Sequence, residues 1–141
     1  MNIAHKTFRL TLRSTPKQIG RVEAFLNKVN HFVRLDEIQM HKLMVAVTEA
    51  ANNAIIHGNK MNHEKRVRLL CDVRFPWLVV TISDQGAGFD PKEVSSPLRR
   101  KNLLKESGRG IFLMRTLMDK VEYRVNRSGV CVELWLDIEK K

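Results

Sequence analysis

Glu49 and Asn53 are four residues apart in a stretch that keeps helical spacing of its apolar residues. This spacing places the carboxylate and the amide one helical turn apart, on the same side of a helix. A carboxylate can accept the proton of an attacking hydroxyl group, and an amide oxygen can ligate Mg²⁺, which prefers oxygen ligands. The pair fits equally well an ordinary surface glutamate and an asparagine near a helix end, so taken alone it leaves both interpretations open.

A second group of residues, Asp84, Gly86 and Gly88, directly follows a short apolar stretch. An aspartate at a strand end can accept a hydrogen bond from an amino group such as that of adenine. The two glycines let the backbone approach a flat ligand closely. The alternative is a simple turn, because the D-x-G-x-G pattern by itself is a weak signal.

A third group, Gly108, Arg109 and Gly110, opens the last predicted helix. Free N–H groups at a helix start favour a phosphate, and the guanidinium of Arg109 adds a forked donor for phosphate oxygens. The alternative is a capped turn from loop to helix. The pattern is neither a Walker loop nor a Rossmann fingerprint, because it lacks the G-K-[ST] of the first and the third glycine of the second.

The hydrophobic pattern predicts the elements that would position these groups. Strands are expected where apolar residues alternate, and helices where they recur every three to four residues. The predicted strands are 7–12, 67–75, 78–83, 121–125 and 130–138, and the predicted helices are 14–31, 36–57 and 110–119. Asp36 is the expected N-cap of the second helix, and Gly58 its stop. A loop of more than twenty residues, 84–107, separates strand and helix and is expected to be a functional lid or disordered.

This order, β-α-α-β-β-loop-α-β-β, predicts an α+β two-layer sandwich. The sheet is expected to be mixed and mostly antiparallel, with the three helices on one of its faces. The other face would carry the outward residues of each strand, among them Leu70 and Trp135. Because exposed aromatic residues often mark contact surfaces, we expect a homodimer that uses this open face or its edge. The alternative is that Trp135 covers its own neighbours without a partner.

In this order, the three groups resemble the motifs of the GHKL ATPase superfamily, which includes gyrase B subunits, mismatch-repair ATPases and histidine kinases. The stretch 49–59 is similar to its N box, 84–90 to its G1 box and 108–114 to its G2 box. The span between G1 and G2 is where this family keeps its ATP lid. The resemblance covers nearly the whole chain and implies a single ATP-binding domain of the Bergerat type over residues 1–141, with ATP and Mg²⁺ as cofactors.

The resemblance also implies a role for each motif residue. Glu49 would be the general base, Asn53 the Mg²⁺ ligand and Asp84 the adenine anchor. The glycines of the G1 box would shape the base pocket, and the G2 residues would wrap the phosphates; these residues are Gly86 and Gly88, and Gly108, Arg109 and Gly110. One position departs from the family pattern, because Val130 stands where the family often has a threonine that helps to hold a water molecule on the adenine.

Within the superfamily, the chain is most similar to the stand-alone anti-sigma-factor serine kinases of bacterial stress response and sporulation. The shortness of the chain, the N-box ending 57–59 and the run 114–119 carry this resemblance. It implies a protein that binds a sigma factor, keeps it from RNA polymerase, and phosphorylates a small anti-sigma-factor antagonist on serine or threonine. It also implies pairing into a homodimer.

Glu49 separates the subclasses chemically. A histidine kinase usually has asparagine at this position, because its acceptor imidazole already offers a lone pair. A serine or water must lose a proton, so a carboxylate base favours a serine/threonine kinase or an ATPase. The alternative is a nucleotide-sensing binding module of the same fold with little or no kinase activity.

Composition limits the remaining function classes. With 141 residues and 43% apolar residues, one globular domain is expected. The net charge of +10 favours an anionic partner, although the cations are scattered and a solvated basic surface accounts for much of the excess. We expect no direct nucleic-acid binding, because no helix-turn-helix, zinc-finger or RNP motif is present. No apolar run reaches the ~20 residues of a membrane span, and the two cysteines fit buried thiols in a reducing cytoplasm.

Overall fold

The computed structural model describes residues 5–86 and 110–139, which form a five-stranded sheet and three α-helices. The strands are β1 (Lys6–Arg13), β2 (Arg66–Arg74), β3 (Trp77–Ser83), β4 (Lys120–Asn126) and β5 (Gly129–Asp137). The helices are α1 (Gly20–Val33), α2 (Glu37–Asn53) and α3 (residues 110–117). A 3₁₀ turn (Pro16–Ile19) precedes α1, and a π-helical turn (Ala54–Gly58) follows α2.

The strand order is β1-β2-β3-β5-β4, and every pair of neighbouring strands in the described part is antiparallel. Arg68 pairs with Ser83, and Ser83 pairs in turn with Cys131. The end of β3 therefore lies between the beginning of β2 and the beginning of β5. Asp84, the residue after β3, therefore lies at the end of the sheet where β2 and β5 begin.

The core lies between the helices and one face of the sheet. Strand alternation directs every second side chain toward the helices, and a burial pattern of this kind is clearest in β2 and β3. The fully or nearly fully buried strand residues include Leu12, Val67, Leu69, Cys71, Val73, Leu78, Val80, Ile82 and Leu134. Helix α2 contributes mainly small residues to the core, so its backbone can lie close to the sheet; its buried apolar residues are Leu43, Ala46, Val47, Ala50 and Ala51.

The helix ends follow the predicted signals with two differences. Asp36 caps α2, since its Oδ1 accepts a hydrogen bond of 2.7 Å from the N–H of Gln39. The predicted stop at Gly58 is the end of the helical segment, but its last turn is π-helical rather than α-helical. The first helix begins as a 3₁₀ turn without a side-chain cap. Ser14 does not serve as that cap because its hydroxyl donates instead to the C=O of Lys65, at 2.7 Å.

The predicted α+β two-layer architecture and the predicted order of elements are confirmed. The predicted 84–107 loop lies, from residue 87 onward, outside the described residues. Across residues 5–86 and 110–139, no helix combines the length and the apolar character required to cross a membrane.

Candidate functional site

Helix α2 brings Glu49 and Asn53 to the start of α3. Both side chains are half-buried, and Gly110, the first described residue of α3, is buried against them. A Cβ atom on Gly110 would lie 2.5 Å from Glu49 Oε1 and 3.0 Å from Asn53 Nδ2. The N-box pair and one G2 residue therefore come together at van der Waals distance, on the side of α2 that is not packed into the core.

Tyr123, which was not predicted as a site residue, lies in electrostatic range of both Glu49 and Arg115. Burial raises the pKa of Tyr123 to about 12; the positive charge of Arg115 opposes this rise, and the negative charge of Glu49 adds to it. The Tyr123 hydroxyl therefore stays protonated at neutral pH. Tyr123 stands between Glu122 and Arg124 on β4, and strand alternation turns it to the helix side of the sheet. This position is the sequence signal that could have placed Tyr123 near the site.

Asp84 is oriented by the backbone around it. Its Oδ1 accepts hydrogen bonds of 3.0 Å from the N–H groups of both Gly86 and Val130. Its own N–H donates to the C=O of Val130, also at 3.0 Å. Val130, which departs from the family pattern in its side chain, thus contributes through its main chain. The carboxylate is held in one orientation, and Oδ2 keeps acceptor capacity for an amino group.

Three glycines make room for the Asp84 carboxylate and its backbone. A Cβ atom on Gly58 would collide with Asp84 Oδ2, and one on Gly86 would collide with the C=O of Gly58. A Cβ atom on Gly129 would collide with the C=O of Asp84, and its φ of +144° is one that few other residues adopt. The end of the N box, the G1 turn and the beginning of β5 are therefore packed against one another without intervening side chains.

A buried polar network lies behind this turn. Asn59 Oδ1 accepts from the N–H of Gln85 at 2.7 Å. Asn59 Nδ2 donates to Ser14 Oγ at 2.7 Å and to the C=O of Arg66 at 3.0 Å. Gln85 Oε1 in turn accepts from the N–H of Arg66 at 2.6 Å. In the sequence, Asn59 is recognisable only as the end of the N box and Ser14 only as the start of the first predicted helix, so the network was not predicted.

The structure arranges the predicted site residues in two groups. Glu49, Asn53 and Gly110 form the first, and Asp84 and Gly86 form the second. The π-helical turn after α2 connects them, because it leads from Asn53 to Gly58 beside Asp84. The remaining predicted site residues lie outside the described part; they are Gly88, Gly108 and Arg109.

The donors present fit the cofactors implied by the resemblance. In the part of the chain that the structure describes, no cluster of three or more His, Cys, Asp or Glu residues could hold a metal by itself. Asn53 offers one amide oxygen, which suits Mg²⁺, since this ion usually takes few protein ligands and completes its shell with phosphate oxygens and water. The free Oδ2 of Asp84 suits the amino group of a base.

Comparisons with known proteins give a family match and several relatives. Residues 12–136 match the histidine kinase-like ATPase domain family. The serine-protein kinase RsbW of Bacillus subtilis (strain 168) is 30% identical over 125 residues, with 84% of this chain and 78% of the relative covered. RsbW of Staphylococcus epidermidis is 35% identical over 113 residues, with 75% and 69% covered.

Solved structures give the same fold. The RsbU and RsbW domains of a Mycobacterium tuberculosis protein superpose with a TM-score of 0.69 at 13% identity, covering 94% of this chain and 32% of that one. A histidine kinase domain from Erythrobacter litoralis superposes with a TM-score of 0.59 at 17% identity, covering 92% and 66%. The family match spans most of the chain, and the curated relatives cover more than two thirds of it. The chain therefore belongs to the histidine kinase-like ATPase family, in which its relatives include the RsbW serine-protein kinases.

Proposed function

We propose that this protein is an ATP- and Mg²⁺-dependent serine/threonine kinase that acts as an anti-sigma factor. It would phosphorylate an anti-sigma-factor antagonist and sequester a sigma factor in the cytoplasm. The observation that supports this most directly is the contact of Gly110 with both Glu49 and Asn53. A carboxylate base, an oxygen ligand for Mg²⁺ and the start of a helix next to a glycine-rich segment then meet at one point.

The proposed reaction uses Glu49 as general base. The hydroxyl oxygen of the acceptor serine attacks the γ-phosphorus of ATP, the bond from the γ-phosphorus to its bridging oxygen breaks, and ADP leaves. Glu49 accepts the hydroxyl proton, which an amide at this position could not do. Mg²⁺, when bound, would offset charge on the phosphates, with Asn53 as its protein ligand.

Asp84 would recognise the base. Its Oδ1 is already engaged by two backbone N–H groups, so Oδ2 is the atom that would accept a hydrogen bond from the adenine amino group. Gly86 and Gly88 would flank the base, and Gly108, Arg109 and Gly110 would contact the phosphates.

The first test is stabilisation by nucleotide. ADP with Mg²⁺ at about 100 times its dissociation constant should raise the free energy of unfolding by about 2.7 kcal/mol. A thermal melt that millimolar Mg-ADP and Mg-ATP leave unchanged would contradict nucleotide binding.

The second test separates binding from transfer. With labelled ATP and an antagonist protein as acceptor, Glu49→Ala should keep ADP affinity and lose about 10²–10⁴-fold in transfer rate, whereas Asn53→Ala should lose the Mg²⁺-dependent part of binding. Glu23→Ala, at an exposed position of α1, is the matched control. Nucleotide binding with no transfer in the unmodified protein would favour the nucleotide-sensing module instead.

We also propose a homodimer that uses the open face of the sheet, where Trp135 is covered within the single chain by Trp77 and Lys120. Trp135 packs edge-to-face on Trp77, with ring centroids 5.6 Å apart, and the Lys120 ammonium lies 4.9 Å from the Trp135 ring centroid. Among the described residues, the Trp135 Nε1 is the buried side-chain polar atom that has no hydrogen-bond partner. Light scattering at tens of micromolar should give a dimer, and Trp135→Ala should shift it toward monomer. A monomer in the unmodified protein would contradict the proposal.

A further inference from the structure

We propose that Asn59 is a positioning residue for base recognition. Its side chain would hold the main chain of Gln85, and thereby Asp84, in the orientation that selects adenine over guanine. This inference rests on the proposed nucleotide-binding function. It concerns a residue other than the general base Glu49, the Mg²⁺ ligand Asn53 and the adenine anchor Asp84.

The Asn59 side chain makes three hydrogen bonds, in which both N–H groups donate and the oxygen accepts once. Its Oδ1 accepts from the N–H of Gln85, and its Nδ2 donates to Ser14 Oγ and to the C=O of Arg66. An N–H group can only donate and a C=O group can only accept, so these partners fix which end of the amide is oxygen. With 1% of its surface exposed, Asn59 has no solvent to replace any of the three bonds.

Gln85 is held by two hydrogen bonds, one to its main chain and one to its side chain. Its N–H donates to Asn59, and its side-chain Oε1 accepts from the N–H of Arg66 at the beginning of β2. We call this pair of hydrogen bonds the Gln85 clamp. The Gln85 N–H belongs to the peptide unit between Asp84 and Gln85, so the clamp fixes the peptide unit directly beside Asp84. The carboxylate of Asp84 is then aligned by bonds within this same turn and to β5.

The backbone after Asn59 is unusual in a way that fits a positioning role. Lys60 and Met61 have φ angles of +51° and +56°, the left-handed region that residues other than glycine rarely occupy in succession. The N–H of Met61 donates to the C=O of Ile55, which closes the turn. Such a conformation persists only where surrounding contacts determine it. The buried bonds of Asn59 are the contacts that anchor this turn to the sheet.

The clamp predicts a loss of base selectivity that simple destabilisation would not cause. In Asn59→Ala, the Gln85 N–H loses its buried acceptor, and the turn can move relative to β5. Asp84 would then meet the adenine amino group with poorer geometry, while contacts to the phosphates would be unaffected. We expect the ratio of ADP affinity to GDP affinity to fall about tenfold, the effect of one badly aligned buried hydrogen bond.

The experiment compares Asn59→Ala with two variants that destabilise the protein but keep the Gln85 clamp. ADP, GDP and inorganic tripolyphosphate affinities are measured by calorimetry for the full chain, for Asn59→Ala, and for two controls, Ser14→Ala and Val29→Ala. Ser14→Ala removes one hydrogen-bond partner of Asn59 Nδ2 but keeps both bonds of the Gln85 clamp, and Val29→Ala opens the core within α1. Both controls should lower the midpoint of urea unfolding and keep the ADP-to-GDP ratio within about twofold. Asn59→Ala should lower the ratio and retain tripolyphosphate affinity.

The outcomes separate the two proposals. An unmodified chain that binds neither nucleotide contradicts the proposed function. An unmodified chain that prefers ADP, with the same preference in Asn59→Ala, overturns the positioning role alone. If Asn59→Ala does not fold, Asn59→Ser keeps a polar side chain whose hydroxyl ends one atom short of the Oδ1 position that accepts from the Gln85 N–H. An ADP-to-GDP ratio that Asn59→Ser leaves unchanged then overturns the inference.

Discussion

Gly110 lies so close to Glu49 that a Cβ atom on Gly110 would sit 2.5 Å from Glu49 Oε1. The obstacle is the end of a flexible side chain rather than backbone, so an alanine can be accommodated by moving the carboxylate. Gly110→Ala should therefore leave the fold intact, since alanine is favoured over glycine in a helix by about 1 kcal/mol. The displaced base should slow phosphoryl transfer by about 10²-fold.

The measurement for Gly110→Ala pairs urea unfolding with the transfer assay. Unchanged or increased stability together with slower transfer is the expected combination. Equal transfer rates in the variant and the unmodified protein would show that the contact with Glu49 has no bearing on the reaction.

Asp84→Asn should invert base preference. An asparagine that keeps its oxygen on the Gly86 and Val130 N–H groups presents an NH₂ group at the place of Oδ2. That group repels the adenine amino group and can donate to the O6 acceptor of guanine. ADP affinity should fall about tenfold or more, and GDP affinity should rise relative to it. Calorimetry with both nucleotides checks this, and an unchanged ADP affinity would make Asp84 a turn residue only.

Stability should fall in alkaline solution because of Cys71. Burial, reinforced by the negative charge of Asp72, raises the pKa of the Cys71 thiol from 9.0 to about 12. Between these pH values the unfolded chain has released the thiol proton and the folded chain has kept it. The free energy of unfolding should therefore decrease as pH rises above 9.0, with a slope of up to about 1.36 kcal/mol per pH unit for this one group.

Tyr123 adds to this slope at higher pH, since its pKa is raised from 10.0 to about 12. Urea unfolding under reducing conditions from pH 8 to 11 measures the effect. Cys71→Ala should flatten the decline from its beginning, and Tyr123→Phe only in its upper part. A decline of the same slope in Cys71→Ala would contradict the assignment.

Asp36→Ala should destabilise the protein without affecting the site. The variant removes the hydrogen bond from Gln39 N–H that caps α2. A lost N-cap costs about 1 kcal/mol, so the unfolding midpoint should fall while the urea m-value stays constant. Asp36→Ser retains a capping oxygen and is the control. Equal losses in Asp36→Ala and Asp36→Ser would show that the cap is not the cause.

The elements were predictable from sequence because they depend on local signals. Alternation in 67–75 indicated β2, and the short apolar run 78–83 indicated β3. Asp36 was recognised as an N-cap from its position before the α2 pattern. The predicted strands 121–125 and 130–138 correspond to β4 and β5. In each case the sequence signal and the structure it specifies lie within a few residues of one another.

The buried network was not predictable in the same way. Asn59 binds Ser14, 45 residues away, and Gln85, 26 residues away. Neither pairing has a periodic signature, because a polar side chain that becomes buried looks the same in sequence as one that remains in solvent. The proximity of Tyr123 to Glu49 likewise depends on how β4 and α2 pack. Such contacts follow from the tertiary arrangement, which alternation alone does not specify.

The bonds between Asp84 and Val130 link the order of folding to nucleotide binding. Ser83 and Cys131 are paired neighbours although 48 residues separate them, so the β3–β5 contact closes a long stretch of chain and is expected to form late. The strands β4 and β5 form the last hairpin of the sheet. Until this hairpin docks on β3, the Asp84 N–H lacks its acceptor, the C=O of Val130, and Asp84 Oδ1 lacks one of its donors, the N–H of Val130. A nucleotide that requires an oriented Asp84 would thus bind only to chains in which the hairpin is closed. Amide hydrogen exchange in β4 and β5 should slow when Mg-ADP is added, so that ligand binding reports on the last step of assembly.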